Sequence, residues 1–580
     1  MPKLKEYLFP TLLFVCSIGI QEPFWGWVDD MMFAQNFGAT LSGVALPDTL
    51  SYHRGLSYVY TALYGLFPQV PVYSIVLLLY LYLASLMLWD VVQFIGKILP
   101  IWAVYVGFLG GWVAFWYESL LLVNFTEVAV FMMGLSLFHL LRLGYREEKS
   151  IPYVSILGYM MMFLIGYLTR PEMLAFPLSL FLPLALLLKL PRKTFVRWST
   201  VGVLLLVGGH QVVETVWMSE DKAKHEALWP YVWSTLDGFN YEPEQWQKGM
   251  QNPQDSIRLY AAMNWFYMDT EKMGIPFFEQ YGSDSPFTFS KLQSPRIALW
   301  NEYQKACCSY TAEYHQALNW WWKVLLFLGF NVCLCIMMMW RKHPLRGYSL
   351  LLTGCFLGVL MGVTVLMKME GRVFSPFAIV YTLLHLMLLC GGERKESNNS
   401  PIGLYVLLVG LLLVGLIRVP QYHQLIQENR AEIDQKRKVM AELRETYIEK
   451  TLIFDYYSRM MVHDYFLHPI KPFAPNKLRL FWGQRGSHEF TAYRNELNRL
   501  CPHTSFIEFV DCMVEGSDDF VWVLPHFQAR LYQSYVQVLY GRSYEFVRID
   551  AEDSAIRQLR YSLLWFPMEM GYYRIRKIDG

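Results

Sequence analysis

The chain has 580 residues and a formal net charge of +1, so no overall field favours nucleic acid, and no basic strip interleaved with aromatic residues occurs. Hydrophobic residues make up 54% and charged residues 17%, and the apolar ones come in blocks rather than stripes, which excludes an ordinary soluble protein. The nine cysteines show neither CxxC pairs nor Cys/His zinc spacing.

A helix needs about 20 apolar residues to cross a hydrocarbon core. By that length, spans are predicted at 6–21, 72–95, 100–121, 125–143, 151–169, 173–190, 197–217, 319–340, 348–367, 374–391 and 402–419. The expected fold class is thus a polytopic α-helical membrane protein with about eleven transmembrane helices. Lys3 and Lys5 precede the first span and no small-residue cleavage site follows it, so it reads as an anchor and not a removed signal. Residues 55–67 are apolar but too short to span, and read as a re-entrant or interfacial helix.

Lys and Arg in short loops set the expected orientation. The loops with Lys3/Lys5, Arg142/Arg146/Lys149, Lys189/Arg192/Lys193/Arg197, Arg341/Lys342/Arg346 and Arg394/Lys395 alternate with the remaining loops. This predicts a cytoplasmic N-terminus and an extracytoplasmic C-terminus. Three outer segments follow: a first loop at about 22–71, a large loop at 218–318, and the tail. The chain then divides into a transmembrane module, 1–419, and a C-terminal part, 420–580. The tail opens with a charged helical stretch, QENRAEIDQKRKVMAELRETYIEK, and continues with the strand-like runs TLIFDYY, LRLFW, DFVWVLP and YEFVRI, so it reads as a small extracytoplasmic α/β domain. Cys16, Cys333, Cys335, Cys355 and Cys390 lie in apolar runs and read as buried thiols, whereas Cys501 and Cys512 suit a disulfide if the tail lies outside. Cys307 and Cys308 are adjacent and less easily bridged.

The first outer loop holds Trp25-Gly-Trp-Val-Asp29-Asp30-Met-Met-Phe. Water removal and mutual repulsion raise the pKa of paired carboxylates near a membrane boundary. One of the pair suits a general base that takes a proton from a hydroxyl, with the other binding a cation or orienting the acceptor. The plainer reading is an acidic turn capping a helix that begins at Met31. The only Lys and Arg in the short outer loops are Arg54, Arg170, Lys368 and Arg372, and cations gathered at one membrane face suit a lipid phosphate. Snorkelling, or local pairing of Arg170 with Glu172 and of Arg372 with Glu370, would account for each singly. Glu127, in Asn-Phe-Thr-Glu, opens the fourth span and needs a partner there. His210 and Glu214 share a helix face, a spacing open to a metal, a proton relay or a plain interhelical hydrogen bond.

The stretches VDDMMFAQNF, LVNFTEVAVFMMGLSL, GYLTRPEML and GRVFSPF, in this order and on one expected side, resemble those of GT-C-type membrane glycosyltransferases. The resemblance is closest to bacterial mannosyl- and arabinofuranosyltransferases that use polyprenyl-phosphate sugars, and it extends to about residue 390. It implies a bacterial inner membrane, with Asp29 or Asp30 as the base and Asp29 preferred. It further implies that Arg54, Arg170, Lys368 and Arg372 hold the donor phosphate and that the anomeric carbon inverts; Glu127, Glu172 and, outside the matching stretches, His210 are the supporting candidates. The acceptor would be an envelope glycan, lipid or protein, and participation of a divalent cation stays open. Other readings are a lipid-linked polysaccharide polymerase or ligase, a glycolipid transporter or flippase, and a non-catalytic scaffold. A transporter would more typically show repeated halves and ionisable groups at the bilayer midplane.

Overall fold

The computed structural model describes residues 6–26, 28–39, 45, 47, 54–96, 100–145, 153–188, 193–216, 223, 227–228, 230–232, 244–264, 269, 271–281, 314–340, 343–366, 371–391, 402–459, 461–462, 464–469, 478–480, 498–499, 501–502, 505–559, 561–563 and 566–578. The first part is helical: α1 (Leu8–Ile20), a two-residue strand β1 (Phe24–Trp25), α2 (Val28–Phe37), α3 (Arg54–Leu66), α4 (Val72–Ile95) and α5 (Ile101–Gly111). A π-helical turn (Trp112–Trp116) leads from α5 into α6 (Tyr117–Leu121) and strand β2 (Leu122–Val123). Next come α7 (Phe125–Tyr145), α8 (Tyr153–Thr169), a 3-10 turn (Pro171–Leu174), α9 (Ala175–Leu187) and α10 (Lys193–Val216). Three short helices follow, α11 (Glu244–Gln251), α12 (Pro253–Met263) and α13 (Ile275–Phe278), then α14 (Tyr314–Trp340), α15 (Arg346–Leu366), α16 (Gly371–Gly391) and α17 (Ile402–Thr446).

Each apolar block of the sequence is helical. Four helices among the described residues are long and apolar enough to cross a membrane: Val72–Ile95, Phe125–Gly144, Thr194–Val216 and Leu408–Thr446. Leu8–Ile20, Tyr153–Thr169, Pro171–Leu187, Phe327–Trp340, Arg346–Gly362 and Val373–Leu389 are apolar but shorter. The apolar window of α7 is 94% buried against 17% for α10 and α17, so α7 is the axis of the bundle and the other two lie at its edge. Close approach to α8 is permitted by Gly166, where an added Cβ would stand 2.8 Å from Met132 Cβ and 2.9 Å from the Ala129 carbonyl. The helix of the last apolar block does not stop where its apolar composition does, near residue 419. It runs straight through Pro420 into the charged stretch as one helix of 45 residues.

The C-terminal part contains β3 (Thr451–Phe454), α18 (Tyr456–Arg459), β4 (Leu478–Leu480), α19 (Phe506–Glu515), β5 (Phe520–Pro525), α20 (His526–Tyr540), β6 (Tyr544–Arg548), α21 (Ala555–Gln558), β7 (Tyr561–Leu563), β8 (Phe566–Met568) and β9 (Met570–Lys577). Five of these strands form a mixed sheet in the order β4-β3-β5-β9-β6. β3 pairs in parallel with both β4 and β5, while β9 lies antiparallel between β5 and β6. Every residue of β5 is buried, as expected of an apolar run covered on both faces. Cys501 and Cys512 form a disulfide, with Cα atoms 5.9 Å apart.

Among the described residues two large hydrophobic cores result, with a small third cluster of Phe24, Leu121, Tyr422 and Ile433. One gathers the long helices; the other gathers the sheet, its helices, and apolar residues of 228–281 and of the charged half of α17. Helix α2 belongs to both, giving Phe33, Ala34 and Phe37 to the first and Met31 and Met32 to the second. The segment after the acidic pair is therefore the joint between the bundle and the sheet.

Candidate functional site

The site is built around the first turn of α7. Asn124 caps that helix, its Oδ1 accepting from the amides of Thr126 (2.8 Å) and Glu127 (3.4 Å). Just before it, β1 pairs in parallel with β2, Phe24 opposite Leu122 and Trp25 opposite Val123. The ladder ends at Gly26, whose amide donates to the Val123 carbonyl at 2.8 Å. A Cβ at position 26 would stand 2.5 Å from the Leu122 carbonyl oxygen, so this crossing requires glycine.

The pairing delivers the acidic pair to the α7 terminus. Helix α2 starts at Val28 and not at Met31, so Asp29 and Asp30 lie within its first turn and do not cap it. Asp30 caps α7 instead. Its Oδ1 accepts from the Phe125 amide (2.9 Å) and the Tyr73 hydroxyl (3.0 Å), and its Oδ2 accepts from Asn124 Nδ2 (3.0 Å). The side chain is fully buried. A helix N-terminus offers unpaired N–H groups and a positive dipole end, which is why a carboxylate can be enclosed here.

Arg170 reaches the same turn from the end of α8. It donates to Thr126 Oγ1, its guanidinium carbon lies 4.6 Å from the centre of the Phe125 ring, and its Nε stands 3.9 Å from Glu172 Oε2. Glu127 is part-buried in the first turn of α7. The motifs VDD, NFTE and TRPE, far apart in sequence, thus meet at one end of the bundle. Phe377 of α16 stacks edge-on with Phe176 of α9 at 5.4 Å, which brings the start of α16, where Arg372 stands, to this same end. Arg54 opens α3. The side chains of Asp29, Arg54 and Arg372 lie outside the described residues, as does all of Lys368.

His210 joins from α10, its Nδ1 lying 2.9 Å from the Tyr167 hydroxyl, which also accepts from Gln211 Nε2 (3.0 Å). This is an interhelical hydrogen bond one turn below Arg170. Among the described residues, no three His, Cys, Asp or Glu side chains stand close enough to hold a metal ion.

The sheet closes over α2 through a second polar seam. Arg459, buried at the end of α18, donates to Gln35 Oε1 (2.6 Å), Asn36 Oδ1 (2.7 Å) and the Met32 carbonyl (3.3 Å). Gln35 Nε2 donates to the Val462 carbonyl (2.7 Å), and Trp25 Nε1 to that of Asp464 (3.3 Å). Behind this seam Asp455 follows β3, fully buried, with Oδ1 accepting from the Ser458 amide (2.7 Å). Burial pushes its carboxyl up to about 7, against the lowering effect of the Ser458 bonds. Sequence reasoning passed over Arg459 and Asp455; the visible signal was an Asp-x-x-Ser-Arg run at the C-terminal edge of an expected strand.

A third polar contact lies among the apolar helices. Arg418 of α17 forms an ion pair with Glu118 of α6, and its Nε donates to the Tyr422 hydroxyl at 3.3 Å. Two ionisable residues inside predicted spans were the signal here, and sequence reasoning singled out neither.

No family model matches this chain, and no curated protein or solved structure is similar to it.

Proposed function

We propose that the protein is an inverting membrane glycosyltransferase of GT-C type that moves a sugar from a polyprenyl phosphate to an envelope glycan, lipid or protein. The observation that carries this reading is the convergence of the acidic pair, the α7 terminus and Arg170 in one place. In this reading the chain has about eleven spans and, by the Lys/Arg asymmetry of its short loops, this end of the bundle faces the extracytoplasmic side; the Cys501–Cys512 disulfide supports an oxidising compartment for the C-terminal part.

In this mechanism the two acids divide the work. Asp30 accepts three hydrogen bonds and is enclosed, so it positions the turn. Asp29, its neighbour, is the base that takes the acceptor hydroxyl proton. The freed oxygen attacks the anomeric carbon as the bond to the phosphate oxygen breaks, and the electron pair leaves on the polyprenyl phosphate. That leaving group is a stable anion and needs cations more than a proton. Arg170, 13% exposed and fixed by Thr126 and Phe125, supplies one; Arg54, Lys368 and Arg372 supply the rest. Glu127 and Glu172 hold the acidic side of this arrangement, and His210 steadies α10 against α8. The acceptor lies against the C-terminal edge of the parallel strands, where open sheets bind ligands, and which here faces α2.

The test is transfer from a panel of radiolabelled polyprenyl-phosphate sugars to envelope glycan and lipid acceptors, with the product anomer determined. A product of inverted configuration supports the reading; a retained configuration, or no reaction with any donor in a broad panel, overturns it.

A further inference from the structure

We propose that the half of the bundle away from the C-terminal sheet contains a binding site for one acyl chain of a membrane phospholipid. This rests on reading the helices as membrane spans and is independent of the glycosyl-transfer reading. A cavity of about 580 Å³ lies between α4, α5, the π-helical turn, α14, α16 and α17, within the size range of small-molecule sites. On α4 it is lined by Leu88, Val92 and Ile95, whereas Asp30 meets Tyr73 in the first turn of that helix. A rise of about 1.5 Å per residue sets ~22 Å between Tyr73 and Leu88, so the cavity is separate from the site above. On α5 and the π turn its wall runs from Ala103 to Trp116, ~20 Å by the same rise. One leaflet of a hydrocarbon core of about 30 Å is ~15 Å deep, so a single acyl chain fits that length.

The wall is chemically suited to a hydrocarbon and to little else. Trp112 and Trp116 line it, yet their indole N–H groups are engaged by Ser17 Oγ (3.1 Å) and Ser85 Oγ (2.9 Å). The Thr382 hydroxyl, also in the wall, donates to the Ala378 carbonyl and accepts from Asn331 Nδ2. Gly111 and Gly410 line the cavity, and a Cβ added at either would meet nothing within 4 Å. Glycine weakens a helix by about 1 kcal/mol relative to alanine, and here it is kept where a side chain has room. The π turn itself is a distortion that recurs at binding sites.

Entry and depth follow from the packing. α17 packs on α5 and the π turn while α14 packs on α15 and α16, and no extensive packing joins α14 to α17 among the described residues. The proposed entry lies between them. Toward the sheet the lining stops at Trp116 and Val414, and the next turn of each helix holds the Glu118–Arg418 pair, which ends the channel. A chain enters from the leaflet remote from the sheet and ends below that pair.

The test uses the full chain in nanodiscs containing a phospholipid with a diazirine on its acyl chain, followed by photolysis and peptide mapping. The expected result is adducts concentrated on the peptides carrying Trp112–Trp116 and Gly410, and their loss in Gly111→Leu. Gly410→Leu fills the same space from the opposite wall and serves if Gly111→Leu does not fold. Adducts spread evenly over all lipid-facing helices, or unchanged in the filled variants, would overturn the proposal. So would capture of a diazirine polyprenyl phosphate at these peptides in preference to the phospholipid. Sugar transfer is not read, so this result and the transferase reading fail separately.

Discussion

The two halves of the bundle are built on opposite principles. At the end that meets the sheet, a fully buried carboxylate is hydrogen-bonded to a helix terminus and a buried guanidinium to Gln35 and Asn36. In the other half the polar atoms of the cavity wall are turned away and the space is left open. Polar groups removed from water lose stability unless they are paired, so the first half is sensitive to a single lost partner. An apolar wall tolerates added volume where a void exists. The difference teaches that buried polar groups are concentrated at the joint, where we propose the chemistry, and that the cavity wall of the remote half is apolar, as the proposed lipid site requires.

The comparison can be broken most severely at the boundary between the halves. Arg418→Met leaves Glu118 enclosed without its cation, and should lower stability by about 3–5 kcal/mol in detergent unfolding. The double variant Glu118→Leu/Arg418→Met should recover most of this. Next in size is a pH effect at the joint. The folded pKa of Asp455 is raised from 3.8 to about 7, so the native state binds its proton more tightly than the unfolded chain. Its stabilising contribution is full below pH 3.8 and is lost as pH rises through about 7, a change of at most about 4 kcal/mol. Asp455→Asn keeps an acceptor for Ser458 and should flatten that part of the stability–pH curve. Asp30→Asn keeps one acceptor oxygen and sets an NH₂ group against the donors of the other, either Asn124 Nδ2 or the Phe125 amide and Tyr73 hydroxyl, and should cost about 1–3 kcal/mol in the same unfolding assay. Equal losses from Asp30→Asn and from Gly111→Leu would erase the contrast between the halves.

Much of the fold was legible because its signals are local. Unbroken apolar blocks dictate helices, and runs such as FVWVLP dictate buried strands. The disulfide pairing of Cys501 with Cys512 was also open to reading, as was the hydrogen-bonded His210. The motifs at the site stood out because Asp, Glu and Arg are costly at the ends of apolar helices. What joins them was not legible. Asp30 meets Phe125 across 95 positions, and the two-residue β1–β2 pairing that helps bring them together has no sequence signal of its own. Strand β9, MGYYRIRK, mixes aromatic and charged residues and has no apolar run to announce it, although it completes the sheet. The last apolar block and the charged helical stretch after it were read apart, because composition changes at Pro420 while the helix does not. Asp455 was visible as a residue of TLIFDYY, but its burial depends on the layers above and below it.

The most direct test of the central claim compares Asp29→Asn with Asp30→Asn for both thermal stability and the rate of sugar transfer from the donor that the wild type uses. The account predicts that Asp29→Asn unfolds like the wild type but transfers sugar about 10²–10⁴-fold more slowly, as expected for loss of a general base. Asp30→Asn should lose stability first, with activity falling in step. Undiminished transfer by Asp29→Asn would contradict the assignment of the base and, with it, the mechanism built on this turn.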